Sequence, residues 1–321
     1  MRNLPALVRE RFQRAQAAGD LTYSPTQLAI LHCNSLPFQL RYSPALAHKP
    51  KAAKPKDTTL KPFDPFLIPP EPLLIAEVGS YNLVLNKFPV IPDHFILATK
   101  EFKKQTCLLE EADLQTAYDC LRSYQAEGEE LFGFFNSGDH SGASQPHRHI
   151  QFLPVESMRR GLGQESQWFL LADRLAAFPA SATPFTYFSA SLPVNIPPSD
   201  LYATYLILHQ RACRLMQVNF PTNLSVQSES PISYNLGFTN RSMVLCPRIS
   251  EGLLIQDNEG NNIGPVALNG TLLAGTLLVK SEAEWDTLLK DERILTHILK
   301  TIGVPRNTID HNPSGPFHHK P

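Results

Sequence analysis

The sequence lacks most of the signatures that assign a chain of this size at sight. Hydrophobic residues make up 42% of it, yet no uninterrupted apolar run approaches the ~20 residues of a membrane-spanning helix. Formal net charge is -1 and the pI is near 6.8, so there is no bulk electrostatic case for duplex nucleic acid or an anionic membrane. The five cysteines (Cys33, Cys107, Cys120, Cys213, Cys246) are scattered, odd in number and without a Cys-x-x-Cys pair. They read as reduced thiols of a cytoplasmic protein, most of them core filler. The first residues, "MRNLPALVRERFQRAQ", carry charges throughout and no apolar h-region, so they do not read as a secretory signal. There is no Gly-Lys-Ser/Thr phosphate loop, no Gly-x-Gly-x-x-Gly fingerprint and no His-Glu-x-x-His zinc motif. "GASQP" fails as a nucleophile elbow, because Pro146 stands where the second glycine belongs.

What is present is a large core and a mixed pattern. The 321 residues suffice for one big domain or two closely packed halves. Leu4, Leu7, Val8 and Phe12 share one side of an expected N-terminal helix. Residues 44–72 are rich in proline and lysine and read mostly as an exposed linker, although their start alternates basic and apolar residues in the manner of a site lining. "LLIAEV", "YNLVL" and "FILAT" read as strands, with a loop from Asn86 to Asp93 joining the last two. "LLEEADLQTAYDCLRSYQAEG" reads as a helix stopped at Gly128, and "LFGFFN" and "HIQFLPV" as strands. The second half echoes the first: "SYNLVLNKFPVIPDHFILATK" (80–100) resembles "SYNLGFTNRSMVLCPR" (233–248). A helix precedes the second copy at 200–218, and one more is expected over 282–302. Antiparallel strands with packed helices predict an α+β fold of two related halves, 1–190 and 191–310, each with an antiparallel sheet and packed helices, followed by a tail at 311–321.

The stretch that carries chemistry is "FNSGDHSGASQPHRHIQFLP", residues 135–154. On a strand, side chains two apart share a face. His147, His149 and Gln151 then project together, and Arg148, Ile150 and Phe152 project to the other side. Gly138, Gly142 and Ala143 let the preceding loop turn tightly and aim N–H groups at an anion, and Ser141 and Ser144 add hydroxyls. A neutral imidazole is a competent nucleophile at phosphorus when its other ring nitrogen is tied to an acceptor. Gln151 offers an amide donor for the charge that develops. Two other readings stand beside this one. One is a transition-metal site using His147 and His149 with His140 or Asp139. The other is a pair of structural histidines packed on a sheet.

His-x-His-x-Gln after a small-residue loop resembles the nucleotidyl-transferase branch of the histidine-triad superfamily, which holds the galactose-1-phosphate uridylyltransferases and the diadenosine tetraphosphate phosphorylases (ATP adenylyltransferases). Within it the chain looks most like the phosphorylases. "YSPALAHKP", "LVLNKFPVIPDHFILAT", "FNSGDHSGASQPHRHIQFLP" and "NGTLLAGTLLVK" carry the likeness over residues 42–280. The resemblance implies a histidine-triad-like, uridylyltransferase-like fold whose first half alone bears the His-x-His-x-Gln chemistry. It implies His149 as the nucleophile that takes AMP, with His147 and Gln151 as its catalytic companions. Asn86 and Lys87 match positions on the nucleotide and its phosphates, and Lys49 matches a polyphosphate lysine, with Lys51 and Lys54 as competing alignments. Asn136, Gly142, Ala143, Ser144 and Gln145 match a phosphate-binding loop. Asn269, Gly270, Thr271, Thr276 and Lys280 match a nucleotide-contacting segment, although Gly270, Thr271 and Leu272 stand where Ser, Leu and Gly are expected. The implied ligands are diadenosine polyphosphates, ATP, ADP and phosphate, with a divalent cation, Mg²⁺, bound through substrate oxygens and no protein metal site. A monomer is compatible with the family. Other acceptor pairs (UDP-hexose or ADP-sulfate type) and a non-catalytic dinucleotide sensor remain the alternatives.

Overall fold

The computed structural model describes residues 3–44, 64–163, 165–178, 183–221, 225, 227–257 and 259–306. The polyphosphate lysine candidates Lys49, Lys51 and Lys54, and the 311–321 tail, lie outside the described residues.

Leu4, Val8, Phe12 and Ala15 recur at helical spacing, and they are the buried stripe of α1 (Leu4–Ala18). Gly19, in the left-handed conformation, closes that helix by donating back to Ala15 and Gln16. The hairpin β1 (Gln27–Cys33) and β2 (Leu36–Tyr42) turns through Asn34 and Ser35, both at positive φ. The expected strands of the first half follow as β3 (Leu74–Val78), β4 (Tyr81–Leu85), β5 (Phe95–Thr99), β6 (Leu131–Ser137) and β7 (His149–Pro154). Between β5 and β6 lies α2 (Glu111–Ala126), which starts on a capping box between Glu110 and Asp113. Then come α3 (Val155–Arg159), α4 (Leu171–Ala177), β8 (Phe188–Ser191) and α5 (Pro198–Leu215). The two copies of Tyr-Asn-Leu start alike: β4 pairs with β5, and β9 (Ser233–Phe238) pairs with β10 (Ser242–Arg248), both antiparallel.

The strands of both halves join one eight-stranded antiparallel sheet, ordered β3-β4-β5-β7-β6-β9-β10-β8. The seam is β6 against β9, with Asn136 opposite Asn235. A hairpin of β11 (Gly252–Gln256) and β12 (Asn262–Ala267) follows, then a 3₁₀ turn (Gly270–Ala274) and β13 (Thr276–Val279). β13 runs parallel to β2, so the N-terminal hairpin is completed by a strand from the far end of the chain. The single closing helix expected over 282–302 is two: α6 (Glu282–Lys290) and α7 (Arg293–Ile302). Asp291 breaks it by adopting extended backbone and capping the Arg293 N–H with its carboxylate at 2.9 Å. Among the described residues no helix is long and apolar enough to cross a membrane.

The large sheet is covered unequally. One face, holding Leu97, Ile150, Phe152 and Leu236, packs against α1, α2 and α5. On the other face, the part made by β6, β9 and β10 is buried beneath α4, the 3₁₀ turn and the β1-β2-β13 sheet. Among the described residues, that second face over β4, β5 and β7 carries a small cluster of Phe66, Val84, Ile96 and Ala98. His149, 3% exposed, and the half-buried Gln151 lie on this face. Arg148 goes the other way, to the helical face. It is 1% exposed and donates to Glu110 at 2.5 Å and Asp113 at 2.8 Å, which pins β7 to the start of α2. Arg148→Met leaves the 1%-exposed Asp113 carboxylate without its cation. It should destabilise the protein by about 3–5 kcal/mol. Urea unfolding at neutral pH measures this, and a loss below about 1 kcal/mol would contradict the anchoring role.

Candidate active site

β7 lies between β5 and β6, with His149 opposite Ala98 and Gln151 opposite both Ile96 and Phe134. Pairing of β6 with β7 stops at Phe134–Gln151. Beyond it the two strands part around the buried amide of Gln105. That amide accepts from the His149 N–H at 2.7 Å and donates to the His149 carbonyl at 3.1 Å and the Asn136 carbonyl at 2.8 Å. One side chain thereby replaces the missing rungs of the ladder and holds the His149 backbone rigid. The splay also makes room for the loop 138–146.

The His149 ring donates from Nδ1 to the carbonyl of His147 at 2.8 Å. A carbonyl only accepts, so Nδ1 carries the proton and the lone pair of the neutral ring sits on Nε2. Nε2 has no hydrogen-bond partner among the described residues. Burial, the dominant cause, lowers the His149 pKa to about 4. The bond to the His147 carbonyl and the charge of Asp64 work against that shift without cancelling it. The ring of Phe66 lies over the imidazole, centroids 5.0 Å apart and planes tilted by 36°. Phe66 is held there by Asp64, whose Oδ1 accepts the N–H groups of Phe66 and Leu67.

His147 is differently employed. Thr99 Oγ1 gives its proton to the Glu101 carbonyl at 2.7 Å, so it accepts from His147 Nε2 at 2.9 Å. His147 Nδ1 meets Asp64 Oδ2 at 2.7 Å. Both ring nitrogens are engaged within the protein. Among the described residues no three His, Cys, Asp or Glu side chains group as a metal site.

Gln151 is oriented by a chain of hydrogen bonds. Asn86 Oδ1 accepts the Phe88 N–H at 2.9 Å, so Asn86 Nδ2 is the donor to His94 Nδ1 at 3.1 Å. His94 then carries its proton on Nε2 and donates to Gln151 Oε1 at 3.1 Å. The end left without a partner among the described residues is the Gln151 NH₂, a donor. Asn86 therefore spends its own side chain inside the protein. The Lys87 side chain is exposed, with its ammonium 5.8 Å from the Phe88 ring centroid.

The loop takes its shape from Gly142 at φ 76°, where a Cβ would stand 2.8 Å from the Leu268 carbonyl. The backbone N–H groups of Ser144 and Gln145 make no hydrogen bond among the described residues, and Ala143 and Ser144 are exposed. From the C-terminal half, Gly270 N–H reaches Asn136 Oδ1 at 2.8 Å. Asn269, Thr271 and Thr276 form a local network with one another, Thr271 Oγ1 bonding Asn269 Oδ1 and the Thr276 carbonyl. Lys280 is exposed at the end of β13. Asp64, Phe66, Thr99, Gln105 and His94 escaped the sequence reading.

Residues 1–164 match the family model for the Ap4A phosphorylase N-terminal domain, and residues 181–305 match that for the ATP adenylyltransferase C-terminal domain. The chain belongs to the Ap4A phosphorylase family. Among its relatives is diadenosine 5′,5‴-P1,P4-tetraphosphate phosphorylase 2 of Saccharomyces cerevisiae, 30% identical over 339 positions spanning 97% of this chain and 98% of the yeast protein. The fold is similar to crystal structures of the yeast Ap4A phosphorylase Apa2. Its AMP complex gives a TM-score of 0.74 at 27% identity, and its Ap4A complex 0.72 at 26%, each covering 96% of this chain and 99% of that one.

For an Ap4A phosphorylase family member, the low His149 pKa has a kinetic consequence. The ring is neutral at every pH above about 4, and that form is lost only as pH falls through this value. Single-turnover adenylyl transfer after a brief pH jump should hold its rate down to about pH 5 and then fall with a midpoint near 4. A midpoint near 6.5, the ordinary histidine value, would contradict the burial argument.

Proposed function

We propose that the protein is a diadenosine tetraphosphate phosphorylase that works through a covalent AMP–histidine intermediate on His149. The carrying observation is a neutral imidazole whose proton is held on Nδ1 by the His147 carbonyl, with Nε2 left unpartnered among the described residues, beside a donor amide and a glycine-serine loop. The similarity to a yeast Ap4A phosphorylase, and to the fold of Apa2 in complex with Ap4A and with AMP, points to the substrate.

In the first displacement Nε2 attacks the α-phosphorus of Ap4A. The N–P bond forms as the bond to the bridging oxygen breaks, and ATP leaves with that oxygen. In the second, an oxygen of inorganic phosphate attacks the same phosphorus, the N–P bond breaks, and ADP leaves. The histidine ends as it began, so ping-pong kinetics follow. The Gln151 NH₂ donates to a non-bridging oxygen, where charge must be held. The open N–H groups of Ser144 and Gln145 extend that cradle. Lys87 and Lys280 neutralise more distant phosphates, in the roles the resemblance implies. Phe66 keeps one side of the ring dry, which favours a positioned phosphate over bulk water as acceptor. Asp64 is committed to His147 and to the turn at Phe66, so it is a poor metal ligand. A divalent cation would ride on the substrate's own oxygens, where it supplies charge neutralisation. A cytoplasmic location, in keeping with five free and buried cysteines, belongs to the same proposal.

Mixing the protein with Ap4A in the absence of phosphate should add one adenylyl group by intact mass, and later addition of phosphate should release ADP. His149→Ala should show neither event while still binding AMP. An unmodified wild type that nevertheless turns over Ap4A would sink the covalent mechanism. Gln151→Ala should lower the adenylylation rate by the equivalent of about 2.7–4 kcal/mol, the scale of one lost oxyanion donor. Stopped-flow or quenched single-turnover measurements check this, and a loss below tenfold would remove Gln151 from that role.

A further inference from the structure

Asn136 lies near the end of β6, two residues beyond Phe134, so it shares the sheet face of Gln151 and His149. Its side chain is buried. Oδ1 accepts twice, from Gly270 N–H and from Asn235 Nδ2, both at 2.8 Å. Nδ2 has no partner among the described residues. A buried amide donor left unmade is costly, so its persistence in one orientation needs a cause.

The cause lies in groups that can only donate. Arg248, buried in β10, donates through Nη1 to Asn235 Oδ1. Asn235 Nδ2 must then point the other way, to Asn136 Oδ1 and to the Ser141 carbonyl of the loop, each at 2.8 Å. Gly270 N–H fixes the same Asn136 oxygen from the far side. Turning either amide would set N–H against N–H. The approach of Gly270 is close enough that a Cβ there would stand 2.7 Å from Asn136 Oδ1. The rest of the Arg248 guanidinium is immobilised by backbone carbonyls: Ile302 at 3.2 Å, Ser250 at 2.9 Å, Glu251 at 3.1 Å and Leu268 at 3.0 Å. Burial, its largest influence, lowers its pKa only to about 10, so it is a cation at neutral pH. Among the described residues no carboxylate is a hydrogen-bond partner of it.

We infer that Arg248 and Asn235, both from the C-terminal half, are positioning residues that lock Asn136 with its Nδ2 donor turned toward an acceptor oxygen of a bound nucleoside phosphate. The relay sets hydrogen-bond polarity across the seam between the halves. It rests on the proposed function only for the identity of the ligand. It also explains why the loop and the segment at 268–270 are tied to the same asparagine pair.

The test is AMP affinity by calorimetry for the wild type, Asn136→Ala, Asn235→Asp and the double variant. The carboxylate that Asn235→Asp introduces keeps an acceptor for Arg248, but it cannot donate to Asn136 or to the Ser141 carbonyl. Each single variant should bind AMP about tenfold or more weakly, as for one hydrogen bond to a charged group. The double variant should bind no more weakly than Asn136→Ala, because Asn235 acts through Asn136. Repulsion of AMP by the added charge would instead multiply the two losses, and that result overturns the relay. Wild-type affinity in Asn235→Asp overturns it equally. Should Asn235→Asp fail to fold, Asn235→Leu carries the same expectation and the same cycle. Binding needs no turnover, so failure of the relay is distinct from failure of the covalent mechanism, which the adenylyl mass gain reports separately.

Discussion

One hydrogen bond, from His149 Nδ1 to the carbonyl of His147 two residues back, decides what this site is able to do. It forces the proton to one side of the ring and the lone pair to the other. It also needs a backbone that does not move, and Gln105 provides one by bonding both the N–H and the carbonyl of His149. The sheet makes this arrangement possible. β7 is central, so its outward face is fixed by neighbours on both sides, and its other face is nailed to α2 through Arg148. The rigid part of the fold therefore ends at the imidazole, and the ring's own freedom is removed by a contact within the same strand.

The same logic recurs around it. The polar side chains near His149 are oriented by partners that have no choice. The Phe88 N–H orients Asn86, which orients His94, which orients Gln151. The Glu101 carbonyl orients Thr99, which orients His147. The outcome is an oriented Gln151 amide two residues along the same strand face from an unprotonated ring nitrogen. Preorganisation of this kind suits transfer of a phosphoryl-type group, where little covalent work falls to the protein and charge placement decides the rate.

Much of this was legible in the sequence, and the limits are physical. The period-2 alternation of His147, His149 and Gln151 against Arg148, Ile150 and Phe152 survives in the structure, because β7 is paired on both edges and the bridge of His147 to Lys104 extends it backwards. The repeated Tyr-Asn-Leu marked two hairpins, and both form. It also contained Asn235, whose importance was readable only once β9 was seen to pair with β6. Asp64, Gln105 and His94 come from turns and strand ends where no periodicity announces a contact. Their partners lie 83, 44 and 57 residues away. The union of the halves into one sheet and the parallel pairing of β13 with β2 are likewise questions of register, which a local pattern leaves open. The break between α6 and α7 has no proline or glycine to signal it; Asp291 makes it by capping.

The central claim concerns one atom. The most direct measurement is NMR of the adenylylated protein prepared with ¹⁵N-labelled histidine and Ap4A without phosphate, reading ³¹P–¹⁵N coupling. Coupling of the adenylyl phosphorus to Nε2 of His149 is the expected result. Coupling to Nδ1, to another histidine or to no ring nitrogen would contradict the account.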